Sequence, residues 1–479
     1  MQTTASPVIV WFRKDLRLAD NLALLAAVEH GGPILPLYIR EMSCGPLGGA
    51  QEWWLHHSLV SLSTALEKTG SHLLFMSGDA GEVLDQLISA TGADTVFWNR
   101  RYEPAGMATD KVLKQKLRDD GMTVRSFAGH LLHEPSRLKT KSGGPYRVYT
   151  PFWRALEGGE EPHAPADAVK SLTAPQTWPK SEKLGDWKLL PVKPDWARDF
   201  SEIWTPGENS AREKLDDFID GALKGYEEGR DFPAKDATSL LAPHLALGEI
   251  SPAAVWHATK GLSRHIASND ISRFRKELVW REFCYHLLFH FPELDEKNWN
   301  DSFDAFGWRD DEKSFNAWKR GMTGYPIVDA GMRQLWKHGT MHNRVRMIVA
   351  SFLIKHLLID WRRGEKWFRD TLVDADPASN AANWQWVAGS GADASPFFRI
   401  FNPILQGEKF DGEGDYVRRF VPELEKLEGK YIHKPFEAPQ AVLQKAGIEL
   451  GKTYPQPIVD HTKARERALA AYAAVKNNA

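Results

Sequence analysis

Two rhythms of apolar and polar residues follow one another along the chain. In the first part, short apolar runs recur: VIVWF from Val8, ILPLYI from Ile34, LLFMS from Leu73, TVFWN from Thr95 and TVRSF from Thr123. Runs this short, set between amphipathic stretches, read as strands separated by helices. Of those stretches, QEWWLHHSLVSLSTALEKTG ends on Gly70 and GEVLDQLISATG on Gly92, each glycine placed to end a helix. The alternation predicts a doubly wound parallel sheet. After the first strand comes RKDLRLADN, which lacks a glycine fingerprint and speaks against a nicotinamide-type dinucleotide site there.

From 131 to 210 the rhythm fades. Ten of the 28 prolines fall in this stretch, which reads as a long surface connector spanning two domains. Helical spacing then dominates: SPAAVWHATKG with Ser251 as N-cap and Pro252 in the first turn, ISRFRKELVWREFCYHLLFHF, and HNRVRMIVASFLIKHLLIDWRRGEKWFRDTL with a break near Asp360. The organisation expected is an α/β domain over 1–130, a connector over 131–210 and an all-α domain over 211–479.

Composition adds limits rather than a function. With 479 residues, 42% hydrophobic and 26% charged, the chain is a soluble globular protein with room for two or three domains. Its formal net charge of -2 means that any nucleic-acid affinity must come from a local patch. Cys44 and Cys284 are too few and too far apart for a disulfide framework or a cysteine metal cluster. The N-terminal apolar run is too short for a signal peptide. The stretch MIVASFLIKHLLIDW is interrupted by Lys355, His356 and Asp360, so no membrane span and a cytoplasmic location are expected. Core packing accounts for many of the nineteen tryptophans, and the others offer stacking surfaces and an oxidisable ring.

Between Arg333 and Arg369, nine Lys/Arg stand against Asp360 and Glu365 alone. Such a segment is either a solvated helix face or a surface that holds a phosphate backbone. Helical spacing puts Asn343, Arg346, Met347 and Ala350 on one face, with Arg344 pointing elsewhere, and Glu277, Trp280, Arg281 and Cys284 on another. A simple Glu277–Arg281 pair is the plainer reading of the second set. Asp374 and Asp376 have no nearby His or Glu to complete a metal shell, so no metal is expected. They could instead accept hydrogen bonds from something planar and polar-edged. The stretch NAANWQWVAGSGADASPFFRIFNP sets paired tryptophans before small residues and phenylalanines, as a tight helix junction or as a surface for a flat ligand.

WFRKDLRLADNLAL, GYEEGRDFP, ELVWREFCYHL, TGYPIVDAGMRQL, MHNRVRMIVASFL, NWQW and FFRIFNPILQGEKFD, in this order, resemble the photolyase/cryptochrome flavoprotein family across nearly the whole chain. The resemblance implies a helical domain holding FAD, active in its reduced form, and a basic face for UV-damaged DNA whose lesion is flipped out toward the flavin. The flat ligand is then the isoalloxazine ring. Carried over residue by residue, Tyr226, Thr238 and Ser239, with Leu240, Leu241 and Phe274, fall at cofactor-binding positions. Glu277, Arg281, Asn343, Arg346, Asp374 and Asp376 match flavin and lesion neighbours. Asn380 matches the residue facing flavin N5.

Trp280 and Trp386 match the two indoles of a cyclobutane-dimer pocket, with Glu277, Asn343 and Met347 as its polar and soft contacts. Glu277 would hydrogen-bond the dimer carbonyl and stabilise charge there. The branch acting on (6-4) photoproducts places histidines around Asn343 and Met347, where this chain has only His342. Trp384, Trp361 and Trp308 match the electron-hopping chain, beside which an alternative chain stays open. Arg344, Gln406 and Lys409 match DNA contacts. The phosphate loop reads TSLLA, without the side-chain donors common in the family, so backbone N–H groups must do more. TSLLAPHLALGEISP resembles plant cryptochromes, and together with the pocket this implies a class III dimer photolyase.

The implied activity is light-dependent repair of cyclobutane pyrimidine dimers by electron transfer from reduced FAD. The alternative is a cryptochrome-like blue-light sensor, whose cue would be a long C-terminal extension. In the family's best-known folate-binding branch an Asn-Glu pair follows the fourth strand, where NRRYEPAG has Ala105 and Gly106. Methenyltetrahydrofolate held differently is the expected antenna, with 8-hydroxy-deazaflavin as the alternative. A monomer is expected.

Overall fold

The computed structural model describes residues 6–41, 47–394 and 398–478. Cys44, and Phe397 of the FFRIFNP motif, lie outside the described residues. Contacts divide the chain into two compact units. One comprises 1–195, 204–224 and 239–292, the other 196–203, 225–238 and 293–479.

All five expected strands are present in the first unit: β1 (Val8–Phe12), β2 (Ile34–Arg40), β3 (Leu74–Ser77), β4 (Thr95–Asn99) and β5 (Thr123–Phe127). They pair in parallel in the order β3-β2-β1-β4-β5. Helices Leu22–His30, Gly49–Lys68, Ala80–Thr91 and Pro104–Asp119 make the crossovers. Burial explains the sequence pattern, since β1 and β4 are covered on both faces and read as continuous apolar runs. At the edge, β5 keeps Thr123 and Arg125 exposed. Gly92 takes φ 68 at the end of its helix, and Gly70, at φ +85, follows the Thr69 cap.

The RKDLRLADN segment is a structural hub. Arg17 is 2% exposed and donates to the carbonyls of Gly248 (2.8 Å), Asp20 (2.9 Å) and Gly129 (2.7 Å). Asp15 accepts from the Arg13 N–H and from Asn99 Nδ2, each at 2.6 Å. Gly248 has φ +69, and a Cβ there would stand 2.0 Å from the Lys14 carbonyl oxygen, so only glycine lets the two backbones pass.

Most of the connector belongs to this same unit and covers the open edge of β3. The Glu182 N–H donates to the Phe75 carbonyl at 2.8 Å, and the Phe75 N–H to Ser181 Oγ at 2.9 Å, satisfying groups that would otherwise invite another strand. It also contains a helix, Tyr149–Glu157, that its weak overall periodicity conceals. Tyr149, Phe152, Trp153 and Leu156 fall at helical spacing and are all buried.

The second unit is helical, and among its described residues the only β pairing is the isolated bridge Leu450–Tyr454. The long basic segment breaks where Asp360 predicted. Helix Asn343–Ser351 runs into a π turn at Phe352–His356, Leu358 turns the chain at φ +54, and Asp360 caps Trp361–Thr371 by accepting from the Arg362 N–H at 2.9 Å. The core gathers Trp318, Trp361, Trp384 and Tyr416 among aliphatic side chains. Among the described residues no helix is long and apolar enough to cross a membrane.

Candidate functional site

The expected site residues divide between the two units, and each group has its own geometry. In the helical unit, Arg346 donates from Nε to the Met341 carbonyl at 2.7 Å and from NH2 to both oxygens of Asp374 at 3.0 and 2.9 Å. The guanidinium that Asp374 meets within the chain is thus that of Arg346. Asp376 caps the Pro377–Ala388 helix, accepting from the Ser379 N–H at 2.7 Å. One turn on, Asn380 donates from Nδ2 to Glu365 Oε1 at 2.8 Å and to the Glu365 carbonyl at 3.1 Å. Both bonds commit the nitrogen end of the amide and leave Oδ1 to meet a donor.

Glu365 is 2% exposed and accepts from Arg369 at 2.8 Å. Burial raises its pKa, with Arg369 pulling the other way. Sequence reasoning counted Glu365 only as a counter-charge in a basic segment. Only the fold reveals that it fixes Asn380.

Three expected electron carriers differ in setting. Trp384 is 3% exposed, edge-on to Phe368 at 5.0 Å, and lies against Gly364, where a Cβ would stand 2.2 Å from its Cη2. Trp361 is fully buried and donates from Nε1 to Asn298 Oδ1 at 2.9 Å. Trp308 is half-buried, 4.4 Å from the Phe306 ring. A further indole, Trp318, lies 6.3 Å from Trp384.

Trp386 is half-buried. The glycines after it serve the chain's own turn. Gly389 ends the helix at φ +93, and a Cβ on Gly391 would stand 2.7 Å from the Trp386 backbone nitrogen. The tight-junction reading of those small residues therefore holds for both glycines.

Asn343 is exposed at the start of its helix, behind His342, whose Nδ1 accepts from the Arg344 N–H at 3.2 Å. Burial holds His342 down to about 4, so the ring is neutral near pH 7. Against expectation, Arg344 does not point away from Met347. The two are three residues apart, neighbours on a helix surface, and NH1 comes within 3.9 Å of Met347 Sδ. Gln406 is half-buried and Lys409 exposed on the Pro403–Phe410 helix. Tyr226 is 6% exposed beneath the Arg230 guanidinium, and Thr238 is half-buried.

In the sheet unit, the TSLLA loop bends sharply. Leu240 takes φ 52 and is 42% exposed, and Leu241 follows in the right-handed region. Alternation of this kind turns successive backbone N–H groups to one side, the donor set an anion needs where side-chain donors are missing. Ser239 Oγ accepts from the Leu241 N–H at 3.4 Å. Phe274 is 6% exposed, against Phe218 at 4.7 Å.

On the Ser268–His290 helix, Arg273 Nε stands 3.8 Å from Glu277 Oε1. Arg281 turns to His130, donating to its carbonyl at 2.9 Å and to its Nε2 at 2.8 Å. A ring nitrogen that accepts from arginine carries no proton, so the imidazole is neutral and its Nδ1–H faces the Lys14 carbonyl at 3.3 Å. Burial, then the charge of Arg281, lowers the His130 pKa well below its usual range. Trp280 lies face to face with Tyr149, centroids 3.7 Å apart at 4°, and the Tyr149 hydroxyl donates to the Lys276 carbonyl at 2.8 Å. Neither His130 nor Tyr149 was visible as a site residue, because each lies far in sequence from the motif it supports.

Taken each by itself, the sheet unit offers backbone N–H groups that suit a phosphate, and the helical unit an amide with one free end and a carboxylate braced by arginine that suit a polar-edged flat ring. Residues 8–170 match the DNA photolyase family model and residues 274–474 the model for the FAD binding domain of DNA photolyase. The chain is 86% identical over 476 residues to a deoxyribodipyrimidine photo-lyase of Agrobacterium fabrum, covering 99% of each. It is 38% identical over 480 residues to cryptochrome-1 of Arabidopsis thaliana, covering 95% of this chain and 69% of that protein. The crystal structure of a bacterial class III photolyase from Agrobacterium tumefaciens superposes with a TM-score of 0.98 at 85% identity, over 100% of this chain and 99% of that one.

Proposed function

The chain belongs to the photolyase/cryptochrome flavoprotein family, and from that premise we propose that it repairs cyclobutane pyrimidine dimers in DNA under blue light. The observation that carries this is the 86% identity to a deoxyribodipyrimidine photo-lyase over essentially both full lengths. Bound reduced FAD supplies the light-excited electron that splits the cyclobutane ring and returns afterwards, with no net redox change.

The chain's own residues bind and orient. Asp374, Asp376 and Arg346 would hold the flavin, and Asn380, whose Nδ2 is occupied by Glu365, would have Oδ1 to accept from it. Tyr226, Thr238, Ser239 and the Leu240–Leu241 backbone hold phosphate, and Phe274 and Arg281 complete the cofactor contacts. Trp280 and Trp386 stack on the lesion, while Glu277, Asn343 and Met347 meet its polar edge. Trp384, Trp361 and Trp308 carry electrons to the flavin, and Arg344, Gln406 and Lys409 contact the DNA backbone.

The assignment to class III rests on the structural likeness to the Agrobacterium enzyme. Residues 1–130 carry the antenna, for which methenyltetrahydrofolate is preferred to 8-hydroxy-deazaflavin. The protein works as a monomer in the cytoplasm. An oligonucleotide with one cyclobutane dimer, mixed with the flavin-loaded reduced protein, should lose the dimer under blue light and keep it in the dark. Retention of the dimer in light would sink the proposal.

A further inference from the structure

The Arg344 guanidinium is already engaged before any DNA arrives. Its NH2 lies 2.8 Å from Asp231 Oδ2, and its carbon sits 4.3 Å from the centroid of Phe410. Phe232 meets Phe410 edge-on at 6.5 Å, so Asp231 and its neighbour secure both the counter-ion and the ring beneath the arginine. Yet Arg344 Nε is buried with no hydrogen-bond partner among the described residues. The side chains of the pair are 19% and 32% exposed.

Arg346, on the same helix, provides the contrast. It meets both oxygens of an Asp374 whose side chain is 7% exposed. The two arginines are 26% and 19% exposed, so the carboxylates make the difference: the buried Asp374, met through both oxygens, persists, whereas the more exposed Asp231 gains less and exchanges more readily.

We propose that Asp231 is a built-in competitor with DNA phosphate for Arg344, and that it lowers the protein's affinity for the DNA backbone. This rests on the reading of Arg344 as a phosphate contact. An arginine whose charge is already offset by its own carboxylate neutralises a phosphate poorly, releases few of the cations condensed on the DNA, and adds little to the salt dependence of binding. A carboxylate beside the phosphate site also repels the incoming backbone. Because the contact is to backbone, the effect is the same on damaged and intact duplex. The protein would therefore release intact DNA more readily while its preference for the lesion stays unchanged.

The test uses the full-length flavin-loaded protein in the dark, on matched duplexes with and without a cyclobutane dimer, titrated across a range of salt. Asp231→Asn keeps shape and removes charge. It is expected to tighten binding to both duplexes by the same factor, about three- to eightfold near 0.1 M salt, and to steepen the log–log salt slope by up to about 0.9. Arg344→Ala should leave the slope of the otherwise unchanged protein nearly as it is and should flatten the steepened slope of Asp231→Asn. Weaker or unchanged binding in Asp231→Asn, with Arg344→Ala by itself flattening the slope while Asp231 is present, would mean that Asp231 merely braces the arginine and would overturn the proposal alone. A slope in Asp231→Asn that adding Arg344→Ala leaves unchanged would remove the reading of Arg344 and the proposal with it.

Discussion

Replacing Tyr149 should damage lesion recognition without touching the lesion. Its ring lies 3.7 Å from Trp280 at an interplanar angle of 4°, a face-to-face arrangement that aromatic pairs seldom choose unaided. The Tyr149 hydroxyl, tethered to the Lys276 carbonyl at 2.8 Å, holds it there one helical turn before Trp280. The stack contributes about 0.5–1.5 kcal/mol and the tether about 0.5–1.5 kcal/mol. Without them the indole explores other rotamers, and the apparent lesion affinity falls by the fraction of time it is misplaced.

Tyr149→Leu, losing both, should weaken binding of dimer-containing duplex by about 1–2 kcal/mol, roughly five- to thirtyfold. Tyr149→Phe, losing only the tether, should cost roughly two- to twelvefold. Binding to undamaged duplex should stay unchanged in both. Dark binding titrations on the paired duplexes, with circular dichroism to establish that the variants fold, decide the matter. Equal losses on both duplexes, or none in Tyr149→Leu, would refute the reasoning.

Three further outcomes follow from other parts of the molecule. Glu277→Ala should lower repair per absorbed photon more than DNA affinity, and the reverse pattern would remove Glu277 from the lesion pocket. Gly364→Ala would place a Cβ 2.2 Å from Trp384 Cη2 and 2.7 Å from Leu353 Cδ2. Overpacking of about 1–3 kcal/mol outweighs a helix-propensity gain of about 1 kcal/mol, so urea unfolding should show a net loss of up to about 2 kcal/mol, with slower photoreduction of the flavin. Full stability and an unchanged photoreduction rate would count against the close contact. Burial pushes the Glu282 carboxyl up to about 7 from 4.5, so the native state keeps a proton that the unfolded chain has released. The wild type should therefore lose stability relative to Glu282→Gln as pH rises from 4.5 to about 7, by roughly 3 kcal/mol in all. A difference flat with pH would falsify that burial effect.

The sheet was legible because its strands are short apolar runs whose burial on both faces leaves little room for other patterns, and each crossover helix carries its own stop. Asp360 likewise announced the break in the basic segment, since a cap is written in local sequence. What could not be read were contacts made across sequence distance. Asp231 stood in a quoted motif without any sign that it meets Arg344, 113 residues on, nor did Glu365 announce Asn380. Tyr149 was hidden further, in a connector whose prolines mask a helix. Arg344 was misplaced because its three-residue spacing to Met347, itself a same-face neighbour on a helix, was passed over in favour of the Asn343–Met347 row.

The claim that this chain repairs DNA, rather than reporting light to a partner, is tested most directly by counting turnovers. Reduced flavin-loaded protein would be illuminated with a large molar excess of duplex carrying either a cyclobutane dimer or a (6-4) photoproduct, beside dark controls. The account predicts many cyclobutane dimers repaired per protein molecule in light, none in the dark, and the (6-4) lesion untouched. Flavin absorption without turnover on the cyclobutane dimer would contradict it and leave a sensor in its place.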